Sequence, residues 1–271
     1  ERAWPTWAHW FDFIDQDSDI ARLKRFERDL YMGWLDPFLA ELPRGTPILD
    51  VGCGVGRFAT VLASRGHHLC LVDASSRALT RAMAHVLKIA PDAPLPDAFC
   101  TDLRELSVLG EARFDVALAI ETICYQSDPT AALGEIARQV RPGGLVVAAV
   151  EGRYGSLLYD EGISLENAPH VMAGQALTIP GDRFVVHDTE ASFRARFEDL
   201  GLEVLLLEGC HYLPEGPLAR LVDWNALDDP AYAAEVISLD RACGRDPAMR
   251  PLARSWLAVA RVPAAHLPGM P

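Results

Sequence analysis

Three glycines at alternate positions, Gly52, Gly54 and Gly56, follow an apolar run that contains Asp50. The run is typical of a buried parallel strand, and the residues after the glycines have helical spacing. The segment therefore predicts a strand, a tight turn and a helix. Glycines let the backbone approach a ligand closely, and the first helical turn offers N–H groups that lack partners within the helix. This arrangement favours ligand binding by backbone groups.

A second acidic residue, Asp73, follows the next apolar run, residues 69–72, about 20 residues beyond the first glycine. An acidic side chain there can accept hydrogen bonds from both ribose hydroxyls of a nucleoside. The alternative is that Asp73 only precedes a helix, for which Ser75 or Ser76 is the predicted N-cap. The glycine spacing is G-x-G-x-G and not the G-x-G-x-x-G of dinucleotide-binding folds, so it argues against NAD.

Residues 47–60 resemble the first motif of class I S-adenosylmethionine (SAM) dependent methyltransferases, and residues 140–145 (Val-Arg-Pro-Gly-Gly-Leu) resemble a late motif of that family. The resemblance implies an α/β, Rossmann-like fold. This is a seven-stranded, mostly parallel sheet with helices on both faces, a last strand antiparallel to the rest and an N-terminal helical cap. It also implies SAM as the cofactor and S-adenosyl-L-homocysteine as the product.

Five predicted strands alternate with helices from about residue 47 to 150, which favours a parallel sheet. Residues 202–207 predict a sixth strand, and residues 255–261 predict a final strand at the edge of the sheet. The carboxyl ends of parallel strands meet at one edge of a sheet, where ligands bind. The acidic residues of the pattern fall at such ends.

The resemblance places the cofactor contacts at these strand ends. They are Asp50, Gly52, Cys53, Gly54, Gly56, Asp73, Ala74, Asp102, Leu103, Ala119, Ile120 and Glu121. In the family, the acidic residue after the third strand meets the adenine amino group, which is the role expected for Asp102; a plain turn residue is the alternative. Tyr31, on an N-terminal helix, is expected to approach the cofactor.

The cofactor supplies the electrophile, so the protein mainly has to align the acceptor, and a general base is optional. His187 is the leading candidate for a catalytic base, because it precedes the helix after a long insertion; a solvent-facing histidine is the alternative. Glu121 is a second catalytic candidate, or else a structural residue tied to a helix or an arginine. Tyr125, Tyr154 and His211 are candidates for acceptor binding, and His211 is the second choice for the base.

The predicted domain plan is an N-terminal helical cap over residues 1–43, a methyltransferase domain over 44–262 and a tail over 263–271. Insertions at about 151–188 and 210–252 are expected to form a substrate lid. The cap begins with aromatic residues at helical spacing, which predict either a docked helix or a lid over the pocket. Its second helix is expected from about residue 20 to 42, interrupted near Gly33 and Pro37.

The net charge of −13 disfavours a nucleic-acid surface, which needs a basic patch. No membrane span or signal peptide is indicated, and the six scattered cysteines form no C-x-x-C pair, so no metal site is predicted. We therefore expect a soluble, cytoplasmic enzyme.

The resemblance implies a SAM-dependent transfer of methyl to an O, N, S or C nucleophile. The acidic composition and the two insertions favour a small-molecule metabolite as the acceptor. In the family that the chain resembles, an Asn/Asp-Pro-Pro-Tyr tetrapeptide after the fourth strand marks methylation of amino groups in nucleobases and glutamine. It is absent here, which disfavours those targets. The alternatives are a methyltransferase acting on protein or tRNA, and a SAM-binding protein of this fold that transfers no methyl group.

Overall fold

A seven-stranded sheet organises the computed structural model, which describes residues 18–160, 162–179 and 183–264. The aromatic start of the predicted cap, residues 1–17, and most of the predicted tail lie outside the described residues. The strands are β1 (Pro47–Val51), β2 (His68–Asp73), β3 (Asp97–Cys100), β4 (Phe114–Ile120), β5 (Val140–Glu151), β6 (Leu177–Ile179), β7 (Arg183–Val185), β8 (Glu203–Cys210) and β9 (Ser255–Arg261).

The α-helices cover both faces of this sheet. They are α1 (Asp19–Leu39), α2 (Ala59–Ser64), α3 (Ser76–Ile89), α4 (Pro129–Gln139), α5 (Arg153–Tyr159), α6 (Ala168–Met172), α7 (Glu190–Asp199) and α8 (Pro230–Arg245). The side chains of Ser75 and Thr189 cap α3 and α7, as the sequence predicts. None of the described helices is both long and apolar enough to cross a membrane.

The strand order is β3-β2-β1-β4-β5-β9-β8, and β6 and β7 form a separate hairpin. Strands β1 to β5 are parallel, while β9 runs antiparallel to both β5 and β8. The seven-stranded Rossmann-like sheet with an antiparallel last strand is confirmed. The order reverses between β1 and β4, which is where open α/β sheets bind their ligands.

The prediction that the last strand lies at the sheet edge is wrong. β9 lies between β5 and β8, and β8 forms the edge. The physical reason is burial: every residue of β9 except Arg261 is buried, whereas β8 begins with an exposed residue followed by three half-buried ones. A strand that is buried on both faces is stabilised by a partner on each side.

The predicted interruption of the second cap helix is also wrong, since α1 is continuous over 21 residues. Pro37 lies in its last turn, close to the helix end at Leu39, so the break that proline causes comes where the helix stops. Ser18 caps its start by accepting a hydrogen bond from the Ala21 N–H. The buried face of α1 packs against the core of the sheet domain and carries several polar residues to the ligand edge.

Candidate functional site

The glycine turn after β1 has an open backbone face at its middle glycine. Gly54 has φ +53°, and a Cβ atom there would meet no atom of the described residues within 4 Å. The flanking glycines are required by packing: a Cβ at Gly52 would lie 2.4 Å from Thr122, and one at Gly56 would lie 3.0 Å from the backbone of Ala82 in α3. Gly54 is therefore the glycine of this turn that leaves room for a ligand against the backbone.

Asp73, at the end of β2, braces this turn. Its carboxylate accepts hydrogen bonds from the Gly54 N–H at 2.9 Å and from the Ser75 N–H at 2.8 Å. A carboxylate can accept about four hydrogen bonds, so two positions remain for ribose hydroxyls. Burial raises the pKa of Asp73, and the two N–H donors oppose that shift. The structure thus gives Asp73 a bracing role in the loop and leaves the predicted ribose role open to it.

Asp50 is buried beside the turn, and its Oδ2 atom has no hydrogen-bond partner among the described residues. Burial, followed by repulsion from Asp73, raises the pKa of Asp50 to about 7. A buried carboxyl oxygen without a donor is costly unless a ligand supplies one. Of the neighbouring candidates, Cys53 is buried with its Sγ 3.7 Å from the Gly54 carbonyl oxygen, and Ala74 is exposed.

Asp102 follows β3 and is held by its own neighbour. The Arg104 side chain donates to both carboxylate oxygens at 2.8 Å, and the Arg104 N–H donates at 2.9 Å. These hydrogen bonds lower the pKa of Asp102 to about 2. The adjacent Leu103 is buried. An adenine amino group would have to share this carboxylate with Arg104, and an exposed pair of this kind rearranges at little cost.

The end of β4 reaches the same edge of the sheet. Ala119 and Ile120 are buried in the strand, and Glu121 follows with φ +53°. One Glu121 carboxylate oxygen lies 3.1 Å from the hydroxyl of Tyr31, and the other lies 3.5 Å from a guanidinium nitrogen of Arg57. Tyr31 is fully buried on α1. Glu121 is thus tied to a helix and an arginine, which is the structural alternative that the sequence leaves open.

Next to Glu121 lies a buried group of charges that the sequence analysis missed. Glu27 of α1 is 1% exposed and forms ion pairs with Lys24 at 2.8 Å and with Arg57. Lys24 also lies 3.6 Å from Glu215. Burial alone would raise the pKa of Glu27, but Lys24 and Arg57 hold it well below its usual range. The available signal was that Glu27 falls between Phe26 and Leu30, on the apolar face of the helix.

His187 and Tyr125 meet at a second acidic residue, Glu151 at the end of β5. The Tyr125 hydroxyl donates to Glu151 at 2.8 Å, Arg254 donates to it at 3.0 Å, and His187 Nε2 lies 3.6 Å away. His187 is fully buried and does not face solvent. Neither of its ring nitrogens has a hydrogen-bond partner among the described residues.

The potential metal-binding atoms of Glu151, Asp160 and His187 lie within 4.8 Å of one another. Two carboxylates and an imidazole are a donor set that divalent cations use. However, the Arg254 guanidinium already lies 3.0 Å from Glu151 and 3.9 Å from Asp160. A divalent cation would therefore have to displace a positive charge.

His211 follows β8 and is buried, with φ +61°. Its ring stands edge-on to Tyr31 with centroids 4.8 Å apart, and its Nδ1 lies 3.2 Å from the Ser255 Oγ at the start of β9. The carboxylate of Asp240 in α8 accepts the backbone N–H of His211 at 3.1 Å and those of the next two residues. By contrast, Tyr154 is half-buried on α5, and no hydrogen bond among the described residues joins it to the other candidates.

The model of the family described as "Methyltransferase domain" matches residues 23–207, which include the glycine turn, α1 from Leu23 and strands β1 to β5. The chain belongs to this methyltransferase domain family. Membership covers the residues of the glycine turn and the acidic residues Asp50 of β1 and Asp73 of β2. It leaves open the methyl acceptor.

Curated relatives of this methyltransferase domain are named ubiquinone biosynthesis O-methyltransferase. The protein of Alkalilimnicola ehrlichii is 35% identical over 109 residues, which cover 40% of this chain and 43% of that protein. The protein of Paracidovorax citrulli is 37% identical over 145 residues, which cover 51% and 56%. The chain thus spans about half the length of the curated relatives it matches.

Solved structures share the fold at low sequence identity. The N-methyltransferase NodS of Bradyrhizobium japonicum, in complex with S-adenosyl-L-homocysteine, has a TM-score of 0.58 at 17% identity, covering 97% of this chain and 100% of that chain. The [4+2]-cyclase SpnF has a TM-score of 0.56 at 18% identity, covering 86% and 82%. Identities this low show the methyltransferase fold alone.

The residues present fit SAM as the cofactor of this methyltransferase domain. Gly54 leaves an open backbone face, Asp73 retains acceptor positions beside it, and the unpartnered Asp50 oxygen suits an ammonium group. The remaining predicted residues form two groups at the same edge, one around Glu121 and one around Glu151. The role of each of these residues toward SAM stays a prediction.

Proposed function

We propose that this protein is a SAM-dependent methyltransferase that methylates a hydroxyl group of a small molecule. The observation that carries the proposal is the open backbone face at Gly54, next to the Asp73 carboxylate that braces it. The family supports the cofactor. The printed name of the curated relatives, O-methyltransferase, supports oxygen as the acceptor atom.

In this proposal the chain's residues do three things. The glycine turn and Asp73 hold the nucleoside, and Asp50 accepts from the amino group of the methionyl part. The buried groups around Glu121 and Glu151 receive the acceptor and keep water out of the site. When bound, SAM supplies an activated methyl group, so the protein needs no covalent intermediate of its own.

The direct test is calorimetric titration of the protein with SAM and, separately, with NADH. Micromolar binding of SAM without binding of NADH is the expected result. Transfer of labelled methyl from SAM to catechol or 3,4-dihydroxybenzoate then tests the acceptor class. Failure to bind SAM would refute the proposal, while tight binding without transfer to any hydroxyl, amine or thiol probe would favour a protein of this fold that does not transfer methyl.

The substitution Asp73→Ala is expected to weaken SAM binding by about 1–3 kcal/mol, because it removes charge-assisted hydrogen bonds to the ribose and loosens the Gly54 turn. Calorimetry measures this change. Asp229→Ala is the matched control, because Asp229 also accepts hydrogen bonds from two backbone N–H groups, at the start of α8. This substitution is expected to leave SAM affinity unchanged. If Asp73→Ala binds SAM as tightly as the parent protein, then Asp73 has only a structural role in the turn.

A further inference from the structure

Four polar residues from distant parts of the chain meet at the ligand edge of the sheet. Strand β8 runs in the same direction as β4, and β9 runs in the opposite direction. Glu121 follows β4, His211 follows β8 and Ser255 begins β9, so all three lie at the carboxyl ends of the parallel strands. Tyr31 reaches them from α1. The contacts run in series, 3.1 Å from Glu121 to Tyr31, 2.9 Å from Tyr31 to Ser255 and 3.2 Å from Ser255 to His211 Nδ1.

The direction of each hydrogen bond in this series follows from its first member. A carboxylate that faces the Arg57 guanidinium can only accept, so the single Tyr31 proton points to Glu121. The Tyr31 oxygen must then accept from the Ser255 hydroxyl, and the Ser255 oxygen must accept from Nδ1–H of His211. A neutral imidazole that carries its proton on Nδ1 has a free electron pair on Nε2.

The surroundings of His211 keep its ring neutral and fixed. Burial lowers its pKa to about 4, with the carboxylates of Glu27 and Glu121 opposing the shift and the cations of Lys24 and Arg254 supporting it. The imidazole ring packs edge-on against the ring of Tyr31.

The backbone of His211 is fixed from the other side, where Asp240 accepts its N–H. The Nε2 atom is buried and has no hydrogen-bond partner among the described residues. A fixed ring with an unused acceptor atom is suited to take a proton from a bound group.

We propose that His211 is the general base of the methyl transfer, with Nε2 as the proton acceptor and with its tautomer set by the series Ser255–Tyr31–Glu121. The inference rests on the proposed function and commits the acceptor to an acidic O–H group, such as a phenol or a catechol. The O–H proton passes to Nε2, its bonding pair stays on the acceptor oxygen, and that oxygen bonds to the methyl carbon as the C–S pair returns to sulfur. The imidazolium then releases its proton to solvent.

This assignment differs from the prediction that His187 is the base. The His187 ring contacts Glu151 at 3.6 Å and has no hydrogen bond that sets its tautomer among the described residues. His211 has the tautomer-setting contact, and its Nε2 has no hydrogen-bond partner in the part of the chain that the structure describes. The two histidines can be separated by substituting each in turn.

The first test reads the tautomer and needs no acceptor. In ¹⁵N-histidine-labelled protein at pH 7, the His211 ring, assigned by its absence in His211→Asn, is expected to show protonated Nδ1 and unprotonated Nε2. Ser255→Ala is expected to give a mixture of tautomers. Protonation at Nε2, an imidazolium in the parent protein, or a tautomer that Ser255→Ala leaves unchanged would overturn the proposal.

The second test reads the reaction. Asparagine tolerates the left-handed backbone of position 211, so His211→Asn is expected to fold and to bind SAM with unchanged affinity. With catechol as the probe, its turnover at pH 7 is expected to fall by at least about 100-fold, and the deficit is expected to shrink as rising pH ionises the probe.

His187→Asn is the comparator and is expected to lack the pH-dependent deficit. A pH-dependent deficit in His187→Asn, with none in His211→Asn, would make His187 the base. Failure of the parent protein to bind SAM would refute the proposed function instead. The tautomer measurement would still decide the role of the hydrogen-bond series.

Discussion

Replacing Gly54 with valine is expected to raise the SAM dissociation constant by at least about 100-fold. Gly54 has φ +53° and an open face, so a valine side chain would occupy the space next to the backbone where we propose that the cofactor binds. The left-handed backbone adds a cost of about 1–2 kcal/mol for a residue with a Cβ atom. Calorimetry of the folded variant measures the affinity.

Gly143→Val provides the matched control for this prediction. Gly143 precedes the central part of β5 and has φ +82°. An added Cβ atom there would also meet nothing within 4 Å in the part of the chain that the structure describes. The substitution therefore imposes a similar backbone strain away from the glycine turn. Gly143→Val should bind SAM like the parent protein, and undiminished binding by Gly54→Val would show that the cofactor does not lie against this turn.

The substitution Glu27→Ala is expected to lower the free energy of unfolding by about 3–5 kcal/mol, because removing one member of a buried ion pair leaves the other charge without compensation. After the substitution, the longer contacts of Lys24 to Glu215 at 3.6 Å and of Arg57 to Glu121 at 3.5 Å would remain. Urea denaturation measures the change. Glu203→Ala is the control, because the Glu203–Arg261 pair is exposed and contributes at most about 1 kcal/mol.

The ion pairs of Glu27 also predict that the free energy of unfolding depends on pH. The pKa of Glu27 is lowered well below its usual value of 4.5, so its contribution to stability is complete above that value. The contribution is lost as the pH falls through the lowered pKa. The stability difference between the parent protein and Glu27→Ala should therefore shrink in acid, and a difference that grows below pH 4.5 would contradict the lowered pKa.

The parts of the site that the sequence predicts are those whose geometry is set within one strand and its next turn. Gly54 and Asp50 lie in a single strand-turn-helix segment, and the alternation of strands and helices brings Asp73 to the same edge. The hydrogen bond between Asp73 and Gly54 spans only 19 residues. A separation of this size is recognisable in the sequence, because a parallel βαβ unit has a fixed handedness and therefore places the ends of its two strands side by side.

The hydrogen-bond series from Glu121 to His211 could not be predicted, because its members are far apart in the chain. Tyr31 and Ser255 are separated by 224 residues, and their meeting depends on where β9 enters the sheet. The apolar character of residues 255–261 predicts a strand and does not encode its neighbours. The sequence analysis missed Glu27, although its position on the apolar face of the helix was a signal, because the sequence does not show that Arg57, 30 residues later, pairs with it.

The position of β9 between β5 and β8 also fixes the order in which the protein can assemble during synthesis. Strands β5 and β8 have both left the ribosome once residue 210 has emerged. Neither can pair with β9 until residues 255–261 have been synthesised. Until then the nascent chain exposes an unpaired strand edge, which is open to aggregation or chaperone binding. Ser255 and His211 can meet only after this step, so the hydrogen-bond series that we propose for catalysis forms only once β9 is in place.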